Sequence, residues 1–100
     1  MVVVRRRRWH RRRVPFVYIL RCSDATYYVG KTTDLRLRLD QHQAGVGSQF
    51  TAVRRPVEMV YAEEHKTARQ ADRRELQLKR WSRAKKEALI AQNKKLLKDA

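Results

Sequence analysis

A chain of 100 residues holds one domain with a modest core, and its 25 lysines and arginines against 10 aspartates and glutamates leave a net charge of +15. Such an excess repels itself unless a polyanion is close, and nucleic acid fits best because each neutralised phosphate releases counterions. The single cysteine, Cys22, excludes an internal disulfide and a cysteine-based zinc site, so a reduced, cytoplasmic setting is expected. No apolar run approaches the roughly 20 residues of a membrane span, and the opening MVVVRRRRWHRRR lacks the apolar stretch of a secretory signal.

Residues 1–13 carry Arg5, Arg6, Arg7, Arg8, Arg11, Arg12 and Arg13 around Trp9 and His10. Like charges this dense predict an arm without fixed structure when free, gripping phosphates nonspecifically, with Trp9 able to stack on an unpaired base. After Pro15, the runs Phe16 to Leu20 and Thr26 to Gly30 flank Ser23-Asp24-Ala25 and predict a β-hairpin. A three-residue loop pairs Leu20 with Tyr28 and Tyr18 with Gly30, which puts both tyrosines on one face; a one-residue slip separates them. Ala25 then occupies the position where such loops favour glycine.

Thr33 is expected to cap a helix from Asp34. The next segment reads two ways: Leu35, Leu37 and Leu39 alternate with Arg36 and Arg38 as in a strand, whereas a helix gathers Leu35, Arg38, Leu39 and His42 into one stripe. Gly45 and Gly47 close it. Residues 48–55 read as a basic loop anchored by Phe50; its Arg54 and Arg55, together with Lys31 just after the hairpin's second run, are candidate nucleic-acid contacts. A third strand is expected from Pro56 to Tyr61, alternating Val57, Met59 and Tyr61. Thr67 caps a helix whose stripe of Ala68, Ala71 and Leu78 also holds a carboxylate, Glu75. Ser82 caps a last helix to about Leu97, with Leu89, Ile90, Leu96 and Leu97 inward.

Taken singly these polar residues have ordinary readings: strand tyrosines such as Tyr27 and Tyr61 belong to the core, His10 and His65 are incidental, and Arg73, Arg74 or Lys79 can pair with Glu75. Taken together, Phe16-Val17-Tyr18, Tyr28-Val29-Gly30, Arg38 and Glu75 resemble the GIY-YIG nuclease family, above all its small stand-alone bacterial members. The likeness extends through VYILRCSD, YYVGKTTDLRLRL, RRPVEMVY and RREL, roughly Val14 to Ala91, with Phe16 where the family name has glycine. It implies a single α+β domain over 14–97: a three-stranded antiparallel sheet flanked by helices in the order β-β-α-β-α-α, with Leu35–His42 helical.

The chemistry implied is phosphodiester hydrolysis at one divalent metal, Mg²⁺ or Mn²⁺. Glu75 would hold the metal, Tyr18 and Tyr28 would flank the attacking water, Arg38 would meet the phosphate, and His42 would assist. One carboxylate with several waters suits Mg²⁺, and the arginine fork matches phosphate oxygens. Tyrosine, with a free pKa of about 10, needs nearby positive charge to act as a base; within the family Tyr28 is the expected base and Tyr18 its partner, a choice the residues leave open. The expected function is a DNA endonuclease of low sequence specificity acting on branched, single-stranded or duplex DNA, with RNA also a candidate and a protein partner able to direct it. The alternative is a nucleic-acid-binding module of the same fold with weak or no cleavage.

Overall fold

Phe16 to Leu20 have no polar side to turn toward water, the pattern of a strand buried on both faces. In the computed structural model, which describes residues 14–99 and side chains as far as Asn93 in the last helix, they form the central strand. β1 (Phe16–Arg21) lies between β2 (Tyr27–Thr32) and β3 (Glu58–Glu64), antiparallel to both. The arm carrying Arg5, Arg6, Arg7, Arg8, Trp9, Arg11, Arg12 and Arg13 lies outside the described residues.

The hairpin loop has the expected length: Cys22 N–H donates to Thr26 O at 2.9 Å, and Ala25 N–H donates to Cys22 O at 2.9 Å. Ala25 adopts φ 67°, a left-handed conformation that costs a non-glycine residue about 1 kcal/mol. Asp24 supports the turn by accepting from Thr26 N at 3.1 Å and Thr26 Oγ1 at 2.6 Å. The register pairs Tyr18 with Gly30 and Leu20 with Tyr28, so both tyrosines face the same way.

The Leu/Arg segment is helical. α1 (Leu35–Gln43) is capped by Asp34 rather than Thr33, because the Asp34 carboxylate accepts from Leu37 N at 3.0 Å. It ends at Ala44, followed by Gly45 with φ 86°. The expected basic loop contains an additional short helix, α2 (Gln49–Ala52), whose cap Ser48 accepts from Thr51 N at 3.1 Å. The order therefore gains one element over β-β-α-β-α-α.

β3 begins later than expected, and its alternation breaks. Leu20 pairs with Met59 but Ile19 with Tyr61, so Val60 is an extra residue, a bulge. Val57, Met59 and Ala62 consequently face the Tyr18 side, while Val60 and Tyr61 pack on the opposite side with Val17, Ile19 and Val29. α3 (Ala68–Arg80), capped by Thr67, and α4 (Arg83–Asp99), preceded by the cap Ser82, cover that second face through Ala71, Leu78 and Ile90. Leu35 and Leu39 of α1 cover the first. Leu89 is half-buried as expected, and the side chains of Leu96 and Leu97 lie outside the described set. Among the described residues no helix is long and apolar enough to cross a membrane.

Candidate active site

Tyr18 leaves β1 on the α1 face and is fully buried. Its phenol lies directly over Gly30, where an added Cβ would stand 2.5 Å from the hydroxyl oxygen, so only glycine admits the ring. α1 brings two partners to that hydroxyl. Arg38 Nε donates to it at 3.4 Å, and His42 Nε2 lies 2.7 Å away.

The protons of this buried group can be assigned by requiring every polar atom to be satisfied. Tyr18 oxygen already accepts from Arg38, so its own proton points at His42 Nε2, which accepts. The imidazole proton is then on Nδ1 and is donated to Thr51 Oγ1 at 2.8 Å. Thr51, also fully buried, donates its hydroxyl proton to Ser48 O at 3.4 Å, while Ser48 Oγ–H donates to Thr51 Oγ1 at 2.8 Å. A continuous run of hydrogen bonds thus passes from Arg38 through Tyr18, His42 and Thr51 to the start of α2.

Electrostatics agree with that assignment. Burial pushes Tyr18 up to about 12 against the lowering effect of Arg38, and burial followed by the charge of Arg38 pushes His42 below its ordinary 6.5. At neutral pH the pair is phenol and neutral imidazole. At Tyr18 the Arg38 guanidinium does lower the pKa, but burial outweighs it.

Tyr28 is half-buried, its ring 6.4 Å from that of Tyr18 and 5.1 Å, edge-on, from His42. Its hydroxyl takes no hydrogen bond among the described residues. Arg38 is braced by Gly47 O and Gln41 Oε1, each at 3.1 Å, and a Cβ on Gly47 would collide with the His42 ring. The helical stripe is therefore not a costly burial of charge; its arginine and histidine both have partners.

Glu75 arrives from α3, which packs on β2 from the other side of the sheet. Its charge acts on both Tyr18 and Lys31, and its side chain is 16% exposed with Lys79 at 3.4 Å. The Lys79 end of that i,i+4 contact is exposed, so the pair is weak and the carboxylate stays able to take a cation. Among the described residues no group of three or more acidic, histidine or cysteine side chains could hold a metal. A single hard carboxylate fits Mg²⁺ or Mn²⁺, whose other ligands are water and phosphate oxygens, and does not fit a closed zinc or calcium cage.

The remaining basic candidates are partly engaged. Lys31 pairs with Asp72 at the edge of α3, which raises its pKa. Arg54 donates to Asp24 Oδ2 at 3.1 Å and lies over Phe50. Arg55 stays exposed while donating to Ala52 O at 2.9 Å and Gln43 O at 3.2 Å. Sequence reasoning passed over Thr51 and Ser48. The available signal was a serine three residues before a threonine, the spacing of a helix cap, but nothing local ties that cap to a histidine.

Comparison with known proteins bears on the same stretch. The model of the GIY-YIG catalytic domain matches residues 14–88. UPF0213 proteins of Staphylococcus aureus, strains Mu3 and COL, are each 44% identical over 75 residues, covering 75% of this chain and 92% of the relative. The solution NMR structure of the UPF0213 protein BH0048 from Bacillus halodurans superposes with a TM-score of 0.51 at 38% identity, covering 77% of this chain and 82% of the other.

Proposed function

The chain belongs to the GIY-YIG family of nucleases, and from that premise we propose that it is a metal-dependent endonuclease cutting DNA phosphodiester bonds with low sequence specificity. The observation that carries the reading is the convergence of Tyr18, Tyr28, Arg38 and His42 on one spot within the electrostatic reach of Glu75. Glu75 would hold Mg²⁺ or Mn²⁺; when bound, the ion stabilises charge on the leaving oxygen. Arg38 offers its guanidinium to the phosphate from a position fixed by Tyr18, Gly47 and Gln41.

Tyr28 is the better-placed base of the two tyrosines. Tyr18 is sealed from solvent and commits its proton to His42, whereas Tyr28 is half-open with a hydroxyl that no described residue engages. Tyr18 and His42 then hold Arg38 and Tyr28 in place. Lys31, Arg54, Arg55 and the arm of residues 1–13 would follow the phosphate backbone, which positions without reading sequence.

The test is incubation with branched, single-stranded and duplex DNA, with Mg²⁺ or Mn²⁺ against chelator. Cleavage requires metal and is abolished by Glu75→Ala and by Arg38→Ala, with binding retained. Cutting that persists in the Glu75 variant sinks the assignment. Binding without cutting on every substrate identifies a binding module instead. Deleting residues 1–13 flattens the salt dependence of binding, and an unchanged slope refutes the arm's role.

A further inference from the structure

Beside the site, the first turn of α2 leaves an aromatic ring at the surface. Phe50 is 38% exposed, and its ring stacks on Tyr28 with centroids 6.1 Å apart and planes 27° apart. The Arg54 guanidinium carbon lies 3.8 Å from the Phe50 ring centroid, close cation–π contact. That guanidinium is held by two hydrogen bonds: Nε donates to Asp24 Oδ2 at 3.1 Å, and Nη1 donates to Phe50 O at 2.8 Å. Its side chain keeps 32% of its surface exposed.

We propose that Phe50 and Arg54 form a stacking platform for an unpaired nucleobase next to the cleavage site, so that DNA strands with unpaired bases are the preferred substrate; this rests on the nuclease reading above. Bases stack on aromatic rings and on guanidinium planes, and such contacts accept any base because every base has a π-face. A base inside a duplex has both faces covered by its neighbours, so only an extruded or unpaired base can use the platform. Arg54 is already ordered by two hydrogen bonds, which lowers the entropy lost on binding. A plain structural brace between α2 and the hairpin loop needs the Arg54–Asp24 contact alone; a half-exposed ring continuous with Tyr28 adds nothing to it. Net positive charge across the chain supplies attraction to the strand but no discrimination by pairing state.

The experiment uses the full chain in EDTA with a short single-stranded DNA bearing 2-aminopurine at successive positions, whose fluorescence is quenched on stacking. Quenching at one or two adjacent positions is expected, and both Phe50→Leu and Arg54→Lys abolish it while weakening binding about tenfold, the loss of roughly one stacked base. Arg54→Lys keeps the charge and loses the plane, so it decides the matter even where Phe50→Leu fails to fold. With Mg²⁺ added, each variant lowers the ratio of single-strand to blunt-duplex cleavage about tenfold. Wild-type quenching in the variants, or wild-type protein that binds duplex more tightly than single strands, overturns the platform. Stronger quenching of the same sequence as RNA overturns the assignment to DNA. If no substrate is cut with either metal, the nuclease reading fails while the quenching result still decides the platform.

Discussion

The two faces of the sheet are built from one strand and differ in kind. Odd-numbered Val17 and Ile19 meet Val29, Tyr61, Ala71, Leu78 and Ile90 in a packed apolar layer. Even-numbered Tyr18 faces α1 instead, in a layer that also holds His42 and Thr51, both fully buried and both polar. Burying apolar area stabilises the fold wherever the shapes fit. A buried hydroxyl or imidazole contributes little net, and costs about 1–3 kcal/mol if its partner is lost. The polar cluster within this otherwise apolar layer is thus tolerated only because Tyr18, His42 and Thr51 are hydrogen-bonded to one another, and it is where a change in one atom should matter more for chemistry than for stability.

The largest expected effect comes from setting one residue of each layer against the other. Ile90→Ala opens a cavity on the apolar face, costing about 2–5 kcal/mol, with each kcal/mol lowering Tm by roughly 4–8 °C in a domain of this size. Its cleavage rate, measured where the variant is fully folded, stays at the wild-type level. Tyr18→Phe removes one oxygen and leaves Arg38 Nε and His42 Nε2 without their partner. It costs about 1–3 kcal/mol and lowers cleavage by about 10²-fold, the scale of a small misplacement of the groups that Tyr18 holds in position. Normal cutting by the tyrosine variant, or a rate loss in folded Ile90→Ala, would break the division of labour between the faces.

A smaller effect sharpens it. Thr51→Val keeps shape and removes the oxygen that accepts from His42 Nδ1. The imidazole then loses the bond that fixes its tautomer, and cleavage falls about 10–100-fold, as when other groups that orient a histidine are removed. Thr51→Ser restores it. Imidazole ¹⁵N chemical shifts report the tautomer directly; an unchanged Nδ1–H signal in Thr51→Val means that Thr51 does not orient the ring.

Legibility in the sequence followed the range of the interaction. The hairpin register could be counted, because alternation and a three-residue loop together decide that Tyr18 and Tyr28 share a face. The type of α1 could not, since alternating Leu and Arg favour a strand and the deciding cap, Asp34, is a single carboxylate; family resemblance decided it. The extra residue at Val60 leaves no local mark, and it sends Tyr61 away from the side of Val57 and Met59. Thr51 and Ser48 have the look of any helix start; their tie to His42 spans a chain reversal at Gly45 and Gly47. Glu75 sits on a helix that packs on the opposite face, and no spacing rule predicts that its charge reaches Tyr18.

The smallest effect separates the faces by pH. His42 titrates below its ordinary 6.5 because it is buried beside Arg38. Between that lowered value and 6.5 the unfolded chain binds the proton more readily than the folded one, so stability is full above this window and is lost as pH falls through it. The apolar side has its own titrating group in Glu63, where burial raises the carboxyl but hydrogen bonds from Tyr61, Arg74 and His65 outweigh it and hold it below 4.5. Its contribution is present above 4.5 and is lost as pH falls through its lowered value. Denaturant midpoints taken from pH 7.5 to 3 should therefore decline in two stages. His42→Gln removes the upper stage and leaves the lower one, whereas Glu63→Gln keeps the upper stage and diminishes the lower, in which Asp24 also takes part because hydrogen bonds from Thr26 hold its carboxyl down. Cleavage follows only the upper stage, because protonated His42 can no longer accept from Tyr18 and the run of hydrogen bonds to Arg38 breaks at its centre. If His42→Gln leaves the upper stage unchanged, the buried imidazole is not the group that couples the site to the fold.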